Sequence, residues 1–253
     1  MQAYGPGLAS IFNRRWTGFA VSAARGIIDF YESAHTGRNH RSLLDICCGA
    51  GQLALHFLKQ GYRVVGLDAS EYMLRYACMH AADFVKAGSA RFVLGNAASF
   101  NIDERFGLAV STFDSLNHLN NEDELMGCFQ SVRRALEDDG VFIFDLNTRR
   151  GLSLWGGVTL NDACEEWNLI HRGFYNRETG KGGSHISGFI RRPDDAAEAF
   201  EETVVDTVFD LARVHAMLLE TGWRRIHFAR LNALNTPLEK PEEEPRVFIV
   251  ACN

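Results

Sequence analysis

Leu43-Leu44-Asp45-Ile46-Cys47-Cys48-Gly49-Ala50-Gly51-Gln52-Leu53-Ala54 runs from an apolar strand signal into a glycine turn and then into a helix-period stretch. Two glycines let the chain turn sharply and let a ligand approach the backbone, while the amide ends of the following helix favour negative charge. The next apolar run, Arg63 to Leu67, ends at Asp68. A carboxylate at that strand end is placed to accept both ribose hydroxyls of a nucleoside. Together, the glycine turn and Asp68 point to a nucleotide-like ligand.

Outward from this unit the same rhythm continues. Strand signals at 42–47, 63–67, 91–94, 108–112 and 141–146 alternate with helix signals at 52–60, 70–87 and 122–136. Alternating strands and helices predict a doubly wound, mostly parallel sheet of seven strands covered on both faces. Residues 8–33, with Leu8, Phe12, Phe19 and Ile27 at helical spacing, predict a helical cap in front of it. After Arg150 the pattern changes to β-rich segments at 165–175, 184–191 and 200–209, separated by glycine- and proline-bearing turns. The expected organisation is a core of residues 1–150 and 211–253 with an inserted antiparallel β lid at 151–210. A helix at 210–221 and strands at 223–230 and 246–252 complete the core.

Across its 253 residues the chain carries 26 Lys and Arg against 32 Asp and Glu, a net charge of −6, which argues against nucleic acid or an anionic membrane as partner. No uncharged apolar run approaches the roughly 18 residues of a membrane span. The charges near the N-terminus follow its apolar stretch, the reverse of a secretory signal, so a cytoplasmic protein is expected. Six cysteines without a C-x-x-C pair, and no His at ligand spacing, predict reduced thiols and no metal. A monomer or homodimer acting on a small molecule is the expectation.

The glycine turn alone admits two ligands, because Gly49-x-Gly51-x-x-Ala54 also satisfies the loose dinucleotide fingerprint of nicotinamide and flavin cofactors. Asp45 discriminates between them: a carboxylate ahead of the turn repels a pyrophosphate and suits the cationic amino and sulfonium groups of S-adenosylmethionine. With Asp45, Gly49, Gly51 and Asp68 in place, the chain resembles the class I S-adenosylmethionine-dependent methyltransferases over most of its length outside the lid. In that family a glycine usually stands where Cys47 stands here. The resemblance implies that Met73 packs on the adenine and that Asn96, in place of the usual aspartate, accepts a bond from the adenine amino group. Ala69 and Ala97, beside Asp68 and Asn96, belong to the same cofactor set. Met73 read simply as a core methionine, and Asn96 as a turn former, stay open.

On the acceptor side, Phe113-Asp114-Ser115-Leu116-Asn117-His118-Leu119 follows the fourth strand, whose carboxyl end faces the ligand crevice in such sheets. It resembles the F-x-S-x-x-H-L stretch of amino-sugar N-methyltransferases. This implies that the Phe113 backbone meets the methionyl part of the cofactor and that His118 lies near the acceptor and handles its proton. The other reading of His118 is a cap on the following helix. Asn117, Asn147, Arg149 and Tyr175 are candidate substrate contacts, and Asp145 either joins them or caps its strand. Tyr4 resembles the tyrosine that opens many of these enzymes and folds over the cofactor, and is a second catalytic candidate. Trp16 either helps to close that side or packs on the sheet. The expected activity is methyl transfer to nitrogen or oxygen of a small molecule. Transfer or cyclisation of the aminocarboxypropyl group, or a silent cofactor-binding module, are the alternatives.

Overall fold

A computed structural model describes residues 4–15, 18–33, 39–191 and 196–253. Its centre is a seven-stranded sheet in the order β3-β2-β1-β4-β5-β11-β10. The five strands β1 (Ser42–Ile46), β2 (Arg63–Asp68), β3 (Ala90–Leu94), β4 (Phe106–Ser111) and β5 (Leu136–Asn147) are parallel, and β11 (Arg246–Cys252) runs antiparallel between β5 and β10 (Arg225–Ala229).

Strand side chains alternate between faces, and here each face carries its own apolar cluster. Leu43, Val64, Leu108 and Ile143 enter one apolar cluster with Ala24, Ile27, Leu53 and Phe57, whereas their chain neighbours Leu44, Val65, Ala109 and Phe144 enter the other with Phe129, Val132, Val214 and Leu218. The first cluster is roofed by the helices Gly18–Ser33 and Gln52–Lys59, the second by Glu122–Ala135 and Leu211–Glu220. Fully burying one such aliphatic or aromatic side chain contributes roughly 1.5–3 kcal/mol, so two clusters supply the core without a crosslink.

Three elements differ from the sequence expectation. The helix expected over 70–87 breaks at Ala81 (φ −105°, ψ 22°), whose methyl is buried in the first cluster, and continues as Ala82–Lys86. A helix at Arg149–Trp155, capped by the Thr148 side chain accepting the Gly151 N–H, spans the expected core–lid boundary. Beyond it, a second sheet of four antiparallel strands is ordered β6 (Thr159–Ala163), β7 (Trp167–Asn176), β8 (Lys181–Arg191) and β9 (Ala197–Thr207). Strand β6 escaped sequence reading because T-L-N-D-A is largely exposed and shows no apolar alternation. Among the described residues no helix is long and apolar enough to cross a membrane.

Candidate active site

The loops after β1 and β4 hold the backbone features that shape the site. Cys47, Gly49 and Gly51 have φ of 57°, 55° and 75° after β1, and Phe113 and Asp114 have φ of 68° and 51° after β4. Gly51 has no substitute here, because a Cβ would stand 3.0 Å from the Ala77 Cβ in addition to its left-handed backbone. Left-handed non-glycine residues carry local strain, which persists where surrounding contacts over-determine it. For Asp114 those contacts are its N–H, donated to Asp145 Oδ2 at 3.1 Å, and its carboxylate, which meets Arg246 at 2.9 Å.

Between these loops lies a trough of two small adjoining cavities that share Phe12, Cys47, Gly49, Phe113 and Ser115 as walls. Asp45 and Thr112 line one end; Tyr4, Asp68, Ala69, Met73 and His118 line the other. Helix Pro6–Arg15 closes over it, with Ala9 packed against Ala50 and Met73. Asp45 is buried and its Oδ2 has no hydrogen-bond partner. Burial, reinforced by the charge of Asp68, pushes its carboxyl up to about 8. Such an oxygen suits a cationic amino group, which supplies both donors and charge. Asp68 accepts N–H bonds from Gly49 and Ser70, each at 2.8 Å, and so ties the glycine turn to the end of β2. Burial raises its carboxyl too, although these amides and His118 pull the other way. The donor set fits S-adenosylmethionine: Asp45 for the amino group, the Gly49 turn for close approach, and Asp68 beside Ala69 and Met73 for the nucleoside.

A larger cleft of about 480 Å³ opens from the trough. Tyr4, Phe12, Phe113 and His118 border both, so they mark the junction. The remaining walls come from the core through Asp114, Asn147 and Arg246, and from the second sheet through Leu160, Asp162, His171 and Asp206. At the junction the Tyr4 hydroxyl lies 3.2 Å from His118 Nε2, and His118 Nδ1 lies 2.9 Å from Asp206 Oδ1. Burial works against the imidazolium, but the close approach and charge of Asp206, with Asp114 behind, outweigh it and raise the His118 pKa. Tyr4 is held well above the usual phenol range by burial and by Asp114, Asp206 and Asp68, so it stays a hydroxyl.

Beneath the junction, Arg246 bridges Asp114 and Asp145 and lies 5.5 Å from the Phe113 ring centre. Burial pushes the Asp114 carboxyl up to about 6 against the pull of Arg246, while Asp206 and Asp145 add to the rise. Asn147 Nδ2 donates to Asp114.

Several expected contacts lie elsewhere. Asn117 is fully buried and saturated: Nδ2 donates to the carbonyls of Asn147 and Thr207 at 3.1 and 2.9 Å, and Oδ1 accepts the Asn147 N–H at 2.9 Å. With no atom left for a substrate, it braces the fold. Asn96 is exposed and its Oδ1 accepts the Ala98 N–H at 2.9 Å, while the Ala97 methyl is packed in the core, so neither lines the trough. Arg149 and Tyr175 hydrogen-bond each other at 3.2 Å and are not among the cleft-lining residues. Asp145 is fully buried under Arg246 rather than open to a substrate. Trp16 falls outside the described residues.

The sequence reading also missed Phe12, Asp114, Asp206 and Arg246. Asp206 had a signal, a lone acid in the apolar run Val204-Val205-Asp206-Thr207-Val208-Phe209, and so had Arg246, a lone cation opening the last strand. Among the described residues no cluster of three or more His, Cys, Asp or Glu is arranged to hold a metal.

A family model described as a methyltransferase domain matches residues 43–140. The dTDP-3-amino-3,4,6-trideoxy-alpha-D-glucopyranose N,N-dimethyltransferase of Streptomyces venezuelae is 33% identical over 184 residues, 72% of this chain and 75% of that protein. Among solved structures, an S-adenosylmethionine-dependent methyltransferase from Clostridium acetobutylicum superposes with a TM-score of 0.79 at 21% identity, covering 97% of each chain. The sugar N-methyltransferase KedS8 from Streptoalloteichus gives a TM-score of 0.76 at 16% identity, covering 100% of this chain and 94% of its own. The trough built around Asp45, Gly49 and Asp68 and this kinship agree, and the chain belongs to the S-adenosylmethionine-dependent methyltransferases.

Proposed function

We propose that this methyltransferase acts on the nitrogen of a small amine held in the cleft beneath the second sheet. The observation that carries the reading is the junction. His118 and Tyr4 border the cofactor trough and the cleft at once, which is where donor and acceptor must meet. Bound S-adenosylmethionine supplies a methyl group on a cationic sulfur, the electrophile for an in-line displacement. The chain's own residues then have three tasks. Asp114, Asp162 and Asp206 line the cleft against Arg15 and Arg246, an acidic balance that favours an amine over an anion. Tyr4 and His118 receive the proton: as it leaves the acceptor nitrogen for the Tyr4 oxygen, the Tyr4 hydroxyl proton moves to His118 Nε2, and the nitrogen keeps the lone pair that attacks. The sheet of β6–β9 and helix Pro6–Arg15 exclude water and fix orientation, the main sources of acceleration for a displacement needing little covalent help.

The segment 151–210 is accordingly read as the substrate lid. The Streptomyces venezuelae relative, named for N,N-dimethylation of an amino sugar, supports an amine acceptor without naming this one.

A screen of small amines with labelled cofactor, run on wild type and His118→Ala, tests the reading. Turnover should fall roughly 10²-fold in the variant while cofactor affinity stays within about twofold. Replacing Leu160 and His171 by Ala should raise the acceptor KM and leave cofactor affinity alone. Full turnover by His118→Ala, or labelling of oxygen acceptors only, would overturn it.

A further inference from the structure

The His118 imidazole would be free to rotate and to swap its proton between nitrogens if nothing held it, and what holds it comes from the second sheet. We infer that Asp206, near the end of β9, is the positioning residue for His118: its carboxylate, against Nδ1 and beside the Val205 carbonyl that accepts the Nδ1–H, holds the ring so that the Nε2 lone pair faces Tyr4 and the cleft. The inference rests on the reading of His118 as proton acceptor.

The placement is over-determined. The three consecutive residues Val205, Asp206 and Thr207 all engage the turn Ser115–His118 or its flank. The Val205 carbonyl accepts the His118 Nδ1–H at 3.3 Å, and Asp206 Oδ1, which has no hydrogen-bond partner, stands 2.9 Å from the same nitrogen as an ion-pair contact. The Thr207 carbonyl accepts from Asn117 at 2.9 Å, and the Thr207 hydroxyl donates to the Leu119 carbonyl at 2.6 Å. Lys181 on β8 adds a bond from Nζ to the Asn120 carbonyl at 2.6 Å. The buried Asn117 thus acquires a purpose as the bolt that sets β9 against the His118 turn. Asp206 is itself buried, at 7% exposure, with its side chain lining the cleft. A carboxylate on one imidazole nitrogen fixes the tautomer and raises the basicity of the other. The second sheet therefore covers the acceptor and also completes the base.

Other charged groups face the same imidazole. Asp114 on the β4 loop and Asp68 at the end of β2 also favour the imidazolium; Tyr4 is neutral; and Arg246 on β11 pairs with Asp114. The cleft walls also carry Arg15, Asp162 and His171. Asp206 is the acidic group in direct contact, so its removal should dominate.

The test is an NMR titration of the His118 imidazole in wild type, Asp206→Asn and Thr207→Val. It needs no acceptor, so it stands even if the methylated nucleophile is misassigned. Asp206→Asn should lower the His118 pKa by about one pH unit or more. In turnover assays it should lower kcat about tenfold or more, with little change in KM, and move the acidic limb of the pH profile down by the same interval. Asp206→Glu should recover part of both. Thr207→Val removes a neighbouring clamp without touching the pair, so it should leave the titration where it is. An unchanged His118 titration in a folded Asp206→Asn protein, shown by intact cofactor binding, would overturn the inference. So would an equal shift in Thr207→Val, which would make attachment of the sheet, not the carboxylate, the cause.

Discussion

Replacing Asp45 by Asn probes the electrostatics that favour S-adenosylmethionine. The carboxyl is buried, one oxygen has no partner, and its pKa is pushed up to about 8. Without cofactor it is therefore mostly protonated at pH 6 and half ionised near pH 8. A cationic amino group needs the ionised form, so the proton competes with the cofactor. Affinity should rise about tenfold between pH 6 and pH 7 and roughly fivefold more by pH 8, with close to one proton released per cofactor bound at pH 7. A charge-assisted bond contributes about 1.5–3 kcal/mol, so Asp45→Asn should bind ~10- to 150-fold more weakly at pH 8 and lose the pH dependence. Calorimetry in two buffers of different ionisation enthalpy reads affinity and proton release together. The stability effect has the opposite pH sense. A carboxyl whose folded pKa exceeds its unfolded value of about 3.9 contributes stability below that value and loses it as pH rises through 8. Cofactor-free Asp45→Asn should thus melt above wild type at pH 8, and the gap should close toward pH 4. A wild-type affinity flat from pH 6 to 8, with no proton release, would refute the protonated, cofactor-facing carboxyl.

Asp68→Ala removes two anchors of the glycine turn as well as the carboxylate proposed to hold the nucleoside, so calorimetry should show cofactor binding weakened by about 1.5–3 kcal/mol or more. An unchanged dissociation constant in a folded variant would dismiss that role. Gly51→Ala meets both a φ of 75° and a Cβ contact of 3.0 Å, and thermal or denaturant unfolding should report a loss of about 1–3 kcal/mol. Arg246→Met leaves Asp114 and Asp145 buried without their cation, which should cost about 3–5 kcal/mol in urea unfolding, less at low pH where the carboxyls protonate. Unfolding midpoints equal to wild type at pH 8 would show that the pair is not coupled to the fold.

The sequence alone determined the sheet, its two buried faces and the glycine turn that opens the first helix after β1. Those features are written locally. The two-residue alternation of Leu43 and Leu44 sends neighbours to opposite clusters, and Gly51 is required by its own backbone angle and a near neighbour. Asp45 and Asp68 follow from their places at strand ends. The acceptor end was decided by tertiary structure, because there a residue's role depends on which distant group reaches it first. Tyr4 meets His118 across 114 residues of chain, and Arg246 meets Asp114 across 132. Asn117 and His118 are adjacent in one motif, yet Asn117 spends every polar atom on the backbones of Asn147 and Thr207 while His118 keeps a nitrogen at the junction. Asn96 was claimed by its own turn, and Arg149 and Tyr175 by each other. Local pattern specifies which groups are available. Only the packing of β9 against the β4 loop specifies which are already satisfied, and unsatisfied groups at a cavity are the ones left to bind and react.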